Sequence, residues 1–242
     1  MTNYFVGITA YDRPKRLQRL LIQLKQQRDV RLDVHVFHDG PPTPTVEASV
    51  GGSQTLHSTS VHLGKKGYYR LFNYVWQEAQ ALEDEWDYLL FLQDDVSIGN
   101  PSLLFEIGQN MKVLETEVMR LACLNLYGDG PWFEKIARWT ARPAVMMENG
   151  FVFASWVDMV AACFTPLALE EVPVLWTPNF EGTEGTSSGV GRQLSKRFDE
   201  ARTSQVMVET PVVDHDDGGE SKMHPDRYEH NANGEVYHED LR

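Results

Sequence analysis

The run Leu89-Leu90-Phe91-Leu92 stops at Gln93-Asp94-Asp95-Val96. A short continuous apolar run bounded by polar residues reads as a buried strand. Two adjacent carboxylates at its carboxyl end are poorly placed for a core and well placed for a site. In open α/β sheets, ligands bind in the crevice outside the carboxyl ends of the strands. Aspartates there can hold a divalent cation against a phosphate, because Mg²⁺ and Mn²⁺ prefer hard oxygen donors. The plain alternative is a solvated Asp-Asp turn, since Asp is common in turns.

The preceding residues alternate between strand and helix patterns. Residues 4–9 are apolar and β-rich, and Thr9-Ala10-Tyr11-Asp12-Arg13-Pro14 forms a turn. Leu17, Leu20, Leu21 and Leu24 then recur at helical spacing. Leu32-Asp33-Val34-His35-Val36-Phe37 alternates as a second strand ending at His38-Asp39-Gly40. A Pro/Thr/Gly/Ser-rich stretch to about residue 55 reads as loop. Residues 55–62 read as a third strand, 64–81 as a helix after a glycine turn, and 87–92 as the fourth strand. Alternating strands and helices imply a parallel, doubly wound sheet. Thr9, Asp39 and Asp94 then lie along one edge of that sheet. Later, residues 101–114 and 191–202 read as helices, 119–126 and 205–213 as strands, and 156–171 as strand then helix. Residues 127–150 and 179–191 read as loops, and a polar, His-rich tail follows residue 214.

Hydrophobic content of 42% supports a real core. A net charge of −13 argues against passive binding to nucleic acid or an anionic membrane, which needs Lys and Arg. Cys123 and Cys163 lie in apolar segments and read as buried thiols. The apolar start at Tyr4 is too short for a secretory signal, and no run approaches a membrane span. The expected compartment is the cytoplasm of a bacterium or of a virus-infected cell.

Four motifs together resemble the nucleotide-sugar glycosyltransferases of GT-A fold, with family-2-like features. The first strand, Thr9-Ala10-Tyr11-Asp12-Arg13-Pro14 and the leucine-rich helix are similar to that family's opening. Val34-His35-Val36-Phe37-His38-Asp39-Gly40 resembles its second strand, and the segment from Gly64 through Arg70 to Asn73 resembles its Gly-rich turn and Arg-x-x-Asn helix. Gln93-Asp94-Asp95 resembles its Asp-x-Asp strand end, in an x-Asp-Asp variant. The resemblance covers the first 100 residues well and the rest loosely. It implies one mostly parallel α/β domain over residues 1–242, with a nucleotide-sugar half (1–100) and an acceptor half (101–242). It also implies that Thr9, Tyr11 and Arg13 line the nucleotide pocket and that Asp39 hydrogen-bonds the base edge. Arg70 and Asn73 would border the nucleotide and diphosphate. Asp94 and Asp95 would hold ribose and metal, with Asp95 the direct ligand. Asp39 and Tyr11 point to a UDP-sugar as donor.

A divalent ion bridging two phosphates lowers the cost of a departing nucleoside diphosphate. Asp95 and one later residue suffice, since such ions keep several waters. Residues 210–221, from Thr210-Pro211 through Asp214-His215 to Ser221, resemble a C-terminal element in which a histidine completes the metal site, so His215 is the candidate. Asp214 or Asp216 serves if the alignment shifts by one, and His224, His230 and His238 follow in similar company. Inverting transfer needs a base within hydrogen-bond reach of the acceptor hydroxyl. The family's usual Glu-Asp pair is absent at the closest match, where Thr186 and Ser187 stand, so Glu184 or Glu181 would take the role and stereochemistry stays open. Trp132, Trp139 and Trp156 are candidates for an acceptor platform, with Arg138 and Arg142 as a local basic patch. The acceptor is a saccharide, protein, lipid-linked sugar or hydroxymethylated DNA base. Two other readings are a sugar nucleotidyltransferase and a non-catalytic carbohydrate- or nucleotide-binding protein on the same fold. The first normally shows a Gly-rich loop after strand one, which is absent here.

Overall fold

The computed structural model describes residues 1–82, 85–128, 133–134, 136–137, 144–147, 149–172 and 189–215. Its frame is a nine-stranded sheet built from β1 (Thr2–Ala10), β2 (Val30–His38), β3 (Thr55–Ser58), β4 (Tyr88–Gln93), β6 (Leu121–Asn125), β7 (Val145–Met146), β8 (Phe151–Phe153), β9 (Ala161–Phe164) and β10 (Ser204–Val208). The order across the sheet is β3-β2-β1-β4-β9-β6-β10-β8-β7. The first four run parallel, as strands joined by helical crossovers must. β9 runs antiparallel between β4 and β6, a wedge that alternation alone does not foretell. A separate two-stranded ribbon pairs β5 (Val96–Ser97) with β11 (Asp214–His215).

Helices cover both faces. α1 (Pro14–Lys25), α2 (Pro44–Val50) and α4 (Leu103–Glu117) pack on one face, where Tyr4, Val6 and Ile8 of β1 meet Leu17, Val46 and Leu104. α3 (Gly64–Ala81), α5 (Pro166–Glu171) and α6 (Val190–Glu200) pack on the other, around Phe5, Phe72, Trp76, Phe164 and Phe198. The alternation of β1 between the two clusters follows from its period of two. Gly7 faces α3, and a Cβ there would stand 2.3 Å from Val75 Cγ1, so only glycine lets the helix lie this close. Cys123 and Cys163 are buried free thiols in adjacent strands, as expected.

Four local expectations need correction. The stretch before residue 55 holds α2 rather than only loop. Pro44 occupies its first turn, the Thr43 hydroxyl accepts from the Val46 amide at 3.3 Å, and Val46 and Val50 share one buried face. Turn-type composition concealed a capped helix. The third strand ends at Ser58 and the strand after Arg202 at Val208, both shorter than expected. β7 falls inside the stretch expected as loop and β8 just after it; they are two and three residues long, too short to show a period.

Candidate functional site

The β1–α1 turn shapes the centre of the site. Pro14 presets the first helical turn, and the Arg13 carbonyl accepts from the amides of Arg16 and Leu17. The Arg13 side chain caps nothing in its own helix and reaches the end of β4. Its Nη2 lies 2.9 Å from Asp94 Oδ1, and its Nη1 donates to Asp95 Oδ2 at 2.5 Å. The two strand ends are also tied through backbone. The Asp94 amide donates to the Thr9 carbonyl at 3.0 Å, and the Tyr11 amide donates to Asp94 Oδ2 at 3.0 Å.

His215 arrives through the ribbon. β5 follows directly on Asp94-Asp95, and β11 sets His215 opposite Val96. His215 Nε2 then stands 3.5 Å from Asp95 Oδ1, close enough to favour the ionised carboxylate. The Tyr127 ring meets the His215 ring edge-on at 5.9 Å.

The carboxylates differ electrostatically. Burial pushes Asp94 up to about 7, against the opposing pull of Arg13, and the neighbouring Asp95 charge adds to the rise. Burial also acts on Asp95, but His215 and Arg13 outweigh it and hold that carboxyl below its usual range. The pair therefore offers one firmly ionised carboxylate and one poised near neutrality.

Two atoms test whether a cation suits this place. Asp94 Oδ1 and Asp95 Oδ1 are buried and face Arg13 Nη2 at 2.9 Å and His215 Nε2 at 3.5 Å, but neither contact has the geometry of a full hydrogen bond. Buried carboxylate oxygens whose hydrogen bonding is incomplete are costly. Carboxylate oxygens with a nearby imidazole are donors that Mg²⁺ or Mn²⁺ accepts. The residues present therefore fit a divalent ion.

The other expected site residues are distributed around this centre. Thr9 is buried, and its hydroxyl shares a 3.0 Å hydrogen bond with the Tyr68 phenol. Tyr11 is half-buried with its ring against His62 at 5.6 Å. Asp39 is buried just past β2, and its carboxylate accepts from the Leu63 amide at 2.5 Å and the Gly64 amide at 2.9 Å. It thus anchors the start of α3, a favourable place for negative charge. Arg70 is exposed and packs on the neighbouring Tyr69, and Asn73 is half-buried one turn along α3. Thr9, Tyr11, Arg13, Asp39, Asp94, Asp95 and His215 lie on or just past strand ends at one edge, while Arg70 and Asn73 sit on the helix that rises from it.

Glu181 and Glu184 lie outside the described residues, as do Trp132, Trp139, Arg138, Arg142, Asp216, His224, His230 and His238. Trp156 is half-buried against the cluster of Ile136, Ala154 and Met207. The structure also reveals polar residues at this edge that the sequence did not single out. Tyr68 is buried beneath the site, where burial drives its phenol pKa upward. Asn125 and Asp158 are buried together, with the Asp158 amide donating to Asn125 Oδ1 at 2.6 Å. Asp158 Oδ1 in turn accepts from Val160, whose carbonyl accepts from the Gln93 amide. A carboxylate in an irregular segment carries no periodic signal to find it by.

No protein-family model matches the sequence, and no curated protein does. Solved structures do resemble the fold. A mannosyltransferase from Pyrobaculum calidifontis, in complex with GDP-Man and Mn²⁺, superposes with a TM-score of 0.57 at 13% identity, covering 86% of this chain and 55% of that one. S. aureus TarS in complex with UDP gives 0.54 at 13% identity, covering 86% and 58%. A mycobacterial protein gives 0.53 at 16% identity, covering 88% and 67%. The chain spans just over half the length of the first two. No helix among the described residues is long and apolar enough to cross a membrane. The mixed, mostly parallel sheet with helices on both faces is thus a fold that this chain shares with the mannosyltransferase and TarS structures.

Proposed function

We propose that this chain is a metal-dependent glycosyltransferase that moves a sugar from a nucleotide-sugar donor to a hydroxyl acceptor. The observation that carries the reading is the buried Asp94-Asp95 pair at the carboxyl end of β4, faced by Arg13 and His215. A leaving nucleoside diphosphate needs concentrated positive charge, and this edge is built to hold it. Asp95 and His215 would ligate Mn²⁺ or Mg²⁺, with Asp94 beside them toward the ribose. The ion would stabilise the developing diphosphate charge. Arg13 supplies a fixed cation next to the same place, and Asp39 positions the amino end of α3. The fold neighbours that hold GDP-Man with Mn²⁺ and UDP support this class of donor. A UDP-sugar is the proposed donor, with Tyr11 and Asp39 toward the base and Arg70 and Asn73 toward the diphosphate.

Glu184, with Glu181 as the alternative, is the proposed base that takes the acceptor proton. The acceptor would sit in the half formed after residue 100, as a saccharide or, in a bacterial or phage setting, a hydroxymethylated DNA base. Glu184→Gln should lower turnover far more than it weakens donor binding. Dispensability of both glutamates would remove the base from that segment.

The deciding experiment is a thermal-shift series with UDP, GDP, CDP and TDP, each with and without Mn²⁺. A ligand that binds only the native state raises the melting temperature. A Mn²⁺-dependent shift with UDP supports the reading. A shift with GDP alone replaces the donor. No shift with any nucleotide favours a non-catalytic protein on this fold.

A further inference from the structure

On the α3 face of the sheet, His35 of β2, His57 of β3 and Glu78 of α3 converge. One ligand atom from each lies within 4.8 Å of the others. We propose that these three residues bind a transition-metal cation of the Zn²⁺ class. The inference is independent of the glycosyltransferase reading.

The geometry of the two imidazoles carries the argument. His35 Nδ1 and His57 Nε2 share a hydrogen bond at 3.0 Å, a separation that a bound ion would also set. Nitrogens bound to one Zn²⁺ at about 2.0–2.1 Å stand roughly 3.0–3.4 Å apart for angles between square and tetrahedral. The opposite nitrogen of His35, Nε2, lies 3.2 Å from Asp33 Oδ2. A proton held there by Asp33 leaves Nδ1 with its lone pair directed at His57. Metal-bound histidines commonly donate their other N–H to a carboxylate in this way, which fixes tautomer and ring orientation. Asp33 and His35 are two apart on one strand, so both side chains leave the same face.

The rings are held in place before any ion arrives. The Phe37 ring stacks on His57 at 4.4 Å and 5°, and Phe5 packs on His35 at 4.5 Å. His35 is buried, whereas His57 and Glu78 are half-buried, so one side of the cluster stays open to water. Two imidazoles, one carboxylate and an open fourth position form a set that Zn²⁺ takes readily. An N₂O donor set selects against Mg²⁺, which asks for oxygen. β3 is an edge strand of only four residues, and a bound ion would tie it to β2 and α3.

The test is Co²⁺ titration of chelator-stripped protein, read by the visible bands of four-coordinate Co²⁺, with Zn²⁺ content measured after dialysis. Asp95→Asn and His215→Ala proteins serve as the background, so that the Asp95 site does not contribute. The expected result is one equivalent of Co²⁺ with four-coordinate bands, displaced by Zn²⁺. His57→Gln and Glu78→Gln should each abolish those bands while leaving circular dichroism unchanged. Asp33→Asn should weaken binding by about 10–100-fold, the usual effect of losing an orienting partner. Bands that persist in both His57→Gln and Glu78→Gln proteins, or no bound equivalent at all in the folded background protein, would overturn the assignment.

Discussion

His215 pairs with Val96, the residue that directly follows Asp95. A histidine far along the chain is thereby delivered to the carboxylate, 3.5 Å from its Oδ1. The ribbon that does this is only two residues on each side. Its register therefore decides whether His215 faces Asp95, since a one-residue slip turns it to the opposite face.

Asp95→Asn should abolish the Mn²⁺-dependent part of nucleotide binding and lower turnover by at least about a hundredfold, in keeping with the several kcal/mol that a bound ion supplies to developing charge. The fold should persist, because Asp94 retains its Arg13 contact and its bond from Tyr11. Thermal melts with and without Mn²⁺, alongside a donor-hydrolysis assay, read both effects. Near-normal Mn²⁺-dependent activity would remove Asp95 from the metal site.

Arg13→Ala should destabilise the protein by about 3–5 kcal/mol, the cost of leaving buried charge without its partner. The Arg13 side chain is 12% exposed and contacts both carboxylates, so solvent screens it little. Added Mn²⁺ should restore more stability to this variant than to the parent, because the ion supplies the missing positive charge. Urea denaturation at fixed pH, repeated with Mn²⁺, measures this. Equal Mn²⁺ effects in the two proteins would separate Arg13 from the ion's position.

The two aspartates should leave opposite marks on the pH dependence. Asp94 is raised from 3.8 to about 7, so the native state binds its proton more tightly than the unfolded chain. Stability should therefore fall as pH rises across that interval. Asp95 is lowered, so its contribution is present above the ordinary carboxyl range and is lost in more acidic solution. Unfolding free energies measured from pH 3 to 8 should show the first slope vanish in Asp94→Asn. An unchanged slope would place the proton elsewhere.

Asp39→Ala should cost about 1–2 kcal/mol, as loss of a helix-anchoring acceptor does. Two backbone amides, Leu63 and Gly64, would lose their partner. Asp39→Asn keeps one acceptor oxygen and should recover part of the stability. Comparing UDP with CDP in that variant isolates any contact with the base. Unchanged nucleotide preference would confine Asp39 to holding α3.

Most of the first hundred residues announced themselves, because β1, β2, β4, α1 and α3 carry a strong period or a long apolar run, whereas α2 was concealed by its turn-type composition. Leu17, Leu20, Leu21 and Leu24 all occupy the buried stripe of α1, and α3 spans the expected residues 64–81. The clustering of Thr9, Asp39 and Asp94 at one edge follows from parallel strands of known direction. The Arg13 bridge was not legible, because nothing local tells whether an arginine at a helix start turns inward. His215 was indicated only through the resemblance of residues 210–221; the two-residue pairing that brings it to Asp95 left no local signal. The direction of β9 was hidden for another reason. Ala161-Ala162-Cys163-Phe164 is apolar enough for a strand, but direction within a sheet leaves no trace in a four-residue run.

That wedge bears on how the chain assembles as it is made. Leu89 to Leu92 finds its partner on one side in β1, already synthesised, and on the other only in residues 161–164. Until the ribosome has released those residues, one backbone edge of the most apolar strand faces water unpaired. Open strand edges invite pairing with other chains. Translation through this interval is therefore the stage at which that edge of β4 is open to mispairing.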